Sequence, residues 1–311
     1  RRPDPPARLA PRPDADALDD VDLAGKRVLV REDLNVPIQQ GVITDDTRIQ
    51  AALPTLERLL AAGAAVMVCS HLGRPEGEGI NPEYSLAPVA QALSIALKTQ
   101  VPLVKDWLNG IDVKPGQIVL CENVRFNPGE IQNDPALSQK MAELCDIFVM
   151  DAFGTAHRAQ ASTVGVAEYA PIAVAGPLLM AEIEALKRAL TKPTHPVIAI
   201  VGGSKISTKL LMLKKLLTKV DLLIVGGGIA NTLIAAEGYK IGKSLYEPEL
   251  INEAQELLEQ AKRENKTIVI PSDIVVAQTF NADAKAEMKP LEALADNDMI
   301  LDFGSDTLGR I

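Results

Sequence analysis

One feature limits what this chain can fold into: short, continuously apolar runs alternate with stretches of helical periodicity. The runs are Val28-Leu29-Val30, Ala65-Val66-Met67-Val68-Cys69, Gln117-Ile118-Val119-Leu120-Cys121 and Ile147-Phe148-Val149-Met150. They continue with Val197-Ile198-Ala199-Ile200-Val201, Leu222-Leu223-Ile224-Val225 and Thr267-Ile268-Val269-Ile270. Runs that are apolar at every position and rich in β-branched residues mark strands buried on both faces. Helical patterns lie between them, at 54–62, 137–144, 207–219 and 249–263. Strand alternating with helix implies a parallel sheet covered on both sides. Residues 177–190 read as one amphipathic helix opened by Pro177. The prolines at 193 and 196 then interrupt the chain before the next strand. A chain of 311 residues suits two such domains. The expected fold is α/β, with two doubly wound parallel-sheet, Rossmann-like domains at 21–176 and 196–311, joined by a linker helix and hinge at 177–195.

Residues 1–20 stand apart. They are rich in proline, arginine and aspartate and nearly free of large apolar groups, and are expected to be a disordered tail. The acidic residues in this stretch argue against a transit peptide, and no apolar segment follows Arg1-Arg2 as a signal would require. Over the whole chain, 32 basic and 41 acidic side chains leave a net charge of −9, which argues against a nucleic-acid partner. No apolar run is long enough to span a bilayer. Cys69, Cys121 and Cys145 all sit in or beside apolar runs, as small core residues do. That usage fits a reducing cytoplasm rather than a disulfide scaffold.

In open parallel sheets, ligands bind beyond the carboxyl ends of the strands. In the first half those positions hold Asp33-Leu34-Asn35, His71-Leu72-Gly73-Arg74, Glu122-Asn123-Val124-Arg125 and Asp151-Ala152-Phe153-Gly154-Thr155-Ala156-His157-Arg158. Arg48 joins them from the start of a helical pattern. Any one of these arginines could pair with a nearby acid. As a set, recurring at one topological position in an acidic protein, they point to an anion site, because the planar guanidinium suits phosphate and carboxylate.

The second half ends its strands in glycine: Gly202-Gly203-Ser204-Lys205 and Gly226-Gly227-Gly228. Glycines there let backbone approach a ligand closely, and a following helix N-terminus favours phosphates. Lys205 and Lys209 are four apart and are expected on one face of that helix start. The spacing is not that of a Walker loop. His195 is expected to be exposed and without a role, Trp107 to be packing, and Lys187-Arg188 to lie on a solvated face. No Cys and His pair has zinc-ligand spacing.

Several long segments, in order, then resemble phosphoglycerate kinase of the bacterial type. They are Arg31-Glu32-Asp33-Leu34-Asn35-Val36-Pro37, Ser70-His71-Leu72-Gly73-Arg74-Pro75, Glu122-Asn123-Val124-Arg125-Phe126, Asp151-Ala152-Phe153-Gly154-Thr155-Ala156-His157-Arg158 and the two glycine turns. The resemblance implies reversible phosphoryl transfer from 1,3-bisphosphoglycerate to ADP, giving 3-phosphoglycerate and ATP. It implies that Asp33, Asn35, Arg48, His71, Arg74, Arg125 and Arg158 bind phosphoglycerate. Gly203, Ser204, Lys209, Gly227 and Gly228 would bind the nucleotide, with Mg²⁺ whose ligands are not assigned. Arg48 and Lys205 would flank the transferred group, and the two domains would close about the 177–190 helix. The enzyme is expected to be a cytoplasmic monomer acting on small molecules.

The family's chain continues past the position of Ile311, with an Asn-Gly-Pro segment and a Gly-Gly-Gly-Asp-Thr loop, so the second domain is expected to be incomplete. That would leave an unpaired strand edge and exposed apolar surface. The alternative reading is a truncated, non-catalytic module that binds 3-phosphoglycerate. A more distant one is another sugar-phosphate or nucleotide enzyme on a similar scaffold.

Overall fold

The computed structural model describes residues 17–75, 79–191 and 193–311. The chain divides between Leu186 and Lys187 into two compact units.

The first unit is built on β1 (Arg27–Arg31), a small hairpin of β2 (Ile38–Gln39) and β3 (Val42–Ile43), α1 (Thr47–Ala61), β4 (Ala65–Cys69) and α2 (Ala87–Ala96). It continues with β5 (Leu103–Val104), β6 (Ile118–Cys121), α3 (Pro135–Glu143), β7 (Ile147–Met150), α4 (Val166–Tyr169), β8 (Ala173–Ala175) and the first part of α5 (Pro177–Thr191), whose last turn lies beyond the division. The strands form one parallel sheet in the order β5-β6-β4-β1-β7-β8. Side chains alternate across it as strand geometry requires. Val28, Val30, Val66, Val68, Ile147 and Val149 enter one core with Ile49, Leu56 and Leu59 of α1 and Val89 and Leu93 of α2. Leu29, Met67, Val119 and Phe148 enter the other with Leu137 and Met141 of α3. The all-apolar runs are needed because both faces are covered. The three cysteines are buried and unpaired. Burial pushes the Cys69 and Cys145 thiols up to about 12, and Trp107 is packed in the second core.

Two expectations for this unit need correction. The 1–20 tail does not extend to residue 20. Residues 1–16 lie outside the described residues, but 17–20 are structured. Leu18 opens a single 3-10 turn and is 2% exposed, Ala17 bridges to Ala175, and Asp19 pairs with Arg58. One large apolar residue suffices to anchor the turn, and the surrounding polar composition hides it. The helix expected from residue 54 begins at Thr47, so that Pro54 lies inside α1. A proline there forfeits one backbone hydrogen bond. The buried stripe of Ile49, Ala52, Leu56 and Leu59 spans both sides of it and holds the helix continuous.

The second unit contains β9 (Ile198–Gly202), α6 (Leu210–Leu217), β10 (Leu222–Gly226), α7 (Gly227–Ala236), α8 (Ile251–Arg263) and β11 (Thr267–Val269). It ends with β12 (Asp273–Ala277), β13 (Glu287–Pro290), β14 (Met299–Phe303) and α9 (Ser305–Leu308). Strands β11-β10-β9 form a parallel sheet, packed with Leu213, Leu217, Ile229, Leu233 and Leu257. The strands after it form an antiparallel sheet in the order β13-β12-β14, which the strand–helix alternation does not announce. Strand β9 also departs from its expected burial on both faces. It is a sheet edge, with Ile198 at 47% and Ile200 at 78% exposure. His195 is exposed as expected, yet it has a partner, since its Nδ1 lies 2.6 Å from Asp221 Oδ2.

Leu18→Ala removes a fully packed side chain from the edge of the first core and is expected to cost about 2–5 kcal/mol. Urea unfolding followed by circular dichroism checks this; a change within error of zero would mean that the turn at 17–20 is not anchored.

Candidate functional site

Four strand ends of the first unit converge on one cluster. Arg31, the last residue of β1, is fully buried. Its Nε donates to Ser162 Oγ at 3.0 Å, one terminal nitrogen donates to the Glu32 backbone carbonyl, and the other lies 3.2 Å from His71 Nδ1. Ser162 sits in a π-helical turn, Ala161–Gly165, and its hydroxyl donates to Glu130 Oε1 at 2.5 Å. Glu130 is thus the buried acid that balances Arg31 through the serine. Burial chiefly raises its carboxyl above the usual range, while Ser162, Arg31 and Arg125 oppose that rise.

His71 is 4% exposed. A guanidinium can only donate, so the Arg31 contact makes Nδ1 an acceptor and leaves the ring proton on Nε2. Burial first, then Arg31, Arg125, Arg158 and Arg48, lower the His71 pKa to about 2. The imidazole is therefore a neutral N–H donor. That electrostatic influence also records which arginines gather around it.

The rest of the site follows. Asn35 Oδ1 accepts from the Gly73 N–H at 2.8 Å, which turns its amide nitrogen to other acceptors. Asp33 Oδ1 accepts from Arg48 at 2.9 Å, and the same Arg48 nitrogen donates to the Asn35 carbonyl at 3.0 Å. So Arg48 does pair with an acid, and that acid is another expected site residue. Gly154 packs against Asp33, where a Cβ would come within 2.9 Å of Oδ2. Arg125 donates to the Gly73 carbonyl, and its Nε is buried without an acceptor among the described residues. Burial, then Arg158, Arg31 and Arg74, depress its pKa, which puts Arg74 and Arg158 in the same neighbourhood. Asn123 secures the loop beneath, donating to the Leu72 and Tyr84 carbonyls at 2.8 and 2.9 Å.

All seven first-unit residues expected from the sequence therefore belong to one cluster. The residues that sequence reasoning missed are Arg31, Glu130 and Ser162. Arg31 had a usable signal, as a charged residue directly after the apolar run Val28-Leu29-Val30. Glu130 and Ser162 lie in connections and carried none.

The second unit brings two glycine turns together, backbone against backbone. Gly227 has φ +65°, and a Cβ there would lie 2.7 Å from the Gly203 carbonyl oxygen. A Cβ at Gly228 would overlap the Ser204 carbonyl. The Ile229 N–H donates to Gly203 O at 3.2 Å. These glycines thus first serve the approach of one turn to the other. The Lys209 stem lies over Gly203. Lys205 and Lys209 do not share a helix face, however. Helix α6 starts at Leu210, so both precede it in a turn. The turn is held elsewhere: Ser207 donates from its N–H and hydroxyl to Glu247, at 2.8 and 2.6 Å. Those two bonds chiefly hold the Glu247 carboxyl below its usual range, and Lys205 contributes. Lys205 itself is exposed.

Fold and site together define an α/β protein with a cluster of arginines at the strand ends of one unit and paired glycine turns ahead of helices in the other. A model of the phosphoglycerate kinase family matches residues 18–311. The phosphoglycerate kinase of Legionella pneumophila (strain Paris) is 58% identical over 291 residues, covering 94% of this chain and 74% of that protein. That of strain Lens is 57% identical over the same length. The solved structure of phosphoglycerate kinase from Coxiella burnetii superposes with a TM-score of 0.83 at 54% identity, covering 96% of this chain and 76% of that one. The one from Pyrococcus horikoshii OT3 gives 0.80 at 30% identity, with 95% and 76% covered. The chain belongs to the phosphoglycerate kinase family.

The His71 assignment has a stability consequence. The folded pKa lies below the unfolded value of about 6.5, so the unfolded chain alone takes up this proton as pH falls. The contribution of His71 is present above that value and is lost progressively towards acid. The nitrogen-15 spectrum of His71 is expected to show a neutral Nε2–H ring at about pH 5. Stability of His71→Gln is expected to fall less steeply below about pH 6.5 than that of the parent. A charged ring or an Nδ1–H tautomer at position 71 would refute the assignment.

Proposed function

We propose that the first unit binds the phosphoglycerate partner in transfer of a phosphoryl group from 1,3-bisphosphoglycerate to ADP, which yields 3-phosphoglycerate and ATP. The observation that carries this reading is Arg125. Its Nε is a buried donor with no acceptor among the described residues, within a cluster that also holds Arg31, Arg48, Arg74 and Arg158. An anion with several acceptor oxygens is what such donors require. Arg125 with Arg74 and Arg158 takes the phosphate, and the neutral His71 Nε2–H adds a directional hydrogen bond. The Asn35 amide nitrogen and the free Asp33 oxygen recognise the carboxyl and hydroxyl end.

In the second unit, Gly203, Ser204, Gly227 and Gly228 form the turns that receive the nucleotide, and Lys209 meets its phosphates. The N-terminus of α7, which begins at Gly227 directly after β10, favours the same negative charge. Phosphoryl transfer needs positioning and positive charge on the equatorial oxygens more than covalent help. Arg48 supplies that charge from the first unit and Lys205 from the second. Among the described residues no group of three His, Cys, Asp or Glu side chains could hold a metal. Mg²⁺ would accompany the nucleotide and offset the charge of its phosphates. No described helix is long and apolar enough to cross a membrane. A monomeric, cytoplasmic enzyme acting on small molecules remains the reading that the sequence supports.

Calorimetric titration of the chain with 3-phosphoglycerate tests the first half-site. Arg125→Ala is expected to weaken binding about 10- to 100-fold, the worth of a charge-assisted pair. Arg48→Ala is expected to lower the rate of ATP formation by about 10²–10³ while leaving the unfolding midpoint within error of the parent. A parent chain that does not bind 3-phosphoglycerate would overturn the assignment of the site.

A further inference from the structure

The end of β1 carries a buried carboxyl group that the anion site does not use. Glu32 follows Arg31, precedes Asp33 and has no exposed surface. Among the described residues neither of its carboxyl oxygens has a hydrogen-bond donor. An ionised carboxylate in that setting is a buried charge without a partner, an arrangement that proteins avoid.

The sheet register shows what it faces. Arg31 pairs with Met150 across β1 and β7, and the Asp151 N–H donates to the Arg31 carbonyl at 3.0 Å. Glu32 and Asp151 thus leave adjacent parallel strands side by side, close enough for Asp151 to raise the Glu32 carboxyl. Two carboxylates offer only acceptors, so a bond between them requires one proton. Burial raises the Asp151 carboxyl too, but hydrogen bonds from Thr55, Leu179 and Leu178 oppose that rise, so Asp151 is the better equipped to be the ionised member. It accepts from Thr55 Oγ1 at 2.5 Å and from the Leu179 N–H at 2.9 Å, in the first turn of α5, where a negative charge is favoured. Gly176 makes the room, since a Cβ there would collide with the Asp151 carboxyl.

Glu32 has no such donors and is left to hold the proton. Burial above all pushes its carboxyl well above the ordinary range; Asp151 and Asp33 add to this, and Arg31 opposes it. Arg31 is engaged with Ser162, His71 and the Glu32 backbone carbonyl. The groups facing the pair are therefore Arg31 and Asp33 beside Glu32, Thr55 from α1, and the Leu178 and Leu179 N–H groups of α5.

We propose that Glu32 is a neutral carboxylic acid in the folded protein, donates its proton to Asp151, and thereby acts as a positioning residue that locks the Asp33 turn to the start of α5. Loss of the proton sets two like charges side by side at this joint. The turn that carries Asp33 and the loop that carries Gly154, which rests on Asp33, then move apart.

The sign of the pH effect follows. The folded carboxyl keeps its proton above the unfolded value of about 4.3, so its stabilising contribution is complete below that value and declines as pH rises. Glu32→Gln keeps the shape and a donor towards Asp151 but cannot titrate. Three readouts on the whole chain test the proposal. Infrared difference spectra of the parent against Glu32→Gln are expected to show a protonated-carboxyl C=O band at neutral pH that the variant lacks. The melting temperatures are expected to coincide at about pH 4.5 and to separate by several degrees in favour of the variant at about pH 8. The affinity for 3-phosphoglycerate is expected to fall at alkaline pH in the parent and not in the variant, with Glu32→Ala weaker throughout.

Only the affinity readout rests on the proposed function. A chain that ignores 3-phosphoglycerate loses that measurement and leaves the other two intact. Absence of the carboxyl band in the parent overturns the proposal, because Glu32 would then be ionised. A Glu32→Gln variant destabilised by the same amount at every pH also overturns it. Should that variant fail to fold, the band in the parent, followed as pH rises, decides alone.

Discussion

The buried guanidinium of Arg31 is the constraint around which the first unit is arranged. It ends the strand that pairs on both sides, with β4 and β7, and it cannot shed its charge. An unpaired charge at that depth would cost several kcal/mol, and each of its three nitrogens has a partner. Ser162 passes the demand to Glu130, the Glu32 carbonyl takes a second donor, and His71 Nδ1 takes a third. The last contact does more than satisfy Arg31. It decides which nitrogen of His71 carries the proton and so leaves Nε2–H as the ring's donor. One buried cation thereby ties the π turn at 161–165, the loop after β4 and the end of β1 into a single frame.

Much of that frame was legible before any coordinates. Runs such as Ala65–Cys69 and Ile147–Met150 could belong only to strands covered on both sides, and the positions after them had to line one edge. The residues there, Asp33, Asn35, His71, Arg74, Arg125 and Arg158, are brought together for that topological reason. The supporting groups were not legible. Glu130 and Ser162 act through contacts between segments 32 residues apart in the chain, which no local pattern encodes. Leu18 was hidden because a single apolar residue in a polar segment carries no periodicity. The antiparallel sheet of β12, β13 and β14 was missed for a different reason. Its central strand β12 is buried, but β13 and β14 on either side are largely exposed and carry charged residues, so they do not resemble strands of a buried parallel sheet.

The second unit shows that a motif can be recognised and its first physical task still be misjudged. Glycine at 227 and 228 suggests room for a ligand. The nearer demand is the carbonyls of Gly203 and Ser204, which occupy the space where the Cβ atoms would be. The two readings are compatible. Turns packed backbone to backbone are rigid, and rigid turns can present N–H groups to a phosphate without reorganisation. Lys205 and Lys209 lie ahead of α6 in a segment tethered by Ser207 on Glu247, rather than on the face of a helix.

A protein of net charge −9 has concentrated its cations where each makes the next harder to keep. Arg158, Arg31 and Arg74 all act to lower the pKa of Arg125, and four arginines act on His71. Mutual repulsion of this kind is a standing cost to the fold, and the acids nearby offset only part of it. Glu130 answers Arg31, and Asp33 answers Arg48. A neutral His71 is the economical choice in such a place, since an imidazolium would add a further like charge, whereas the N–H of a neutral ring still directs a hydrogen bond. A protonated Glu32 follows the same logic from the opposite sign. Beside Asp151, a second negative charge would go unanswered, because the one adjacent cation already has its partners.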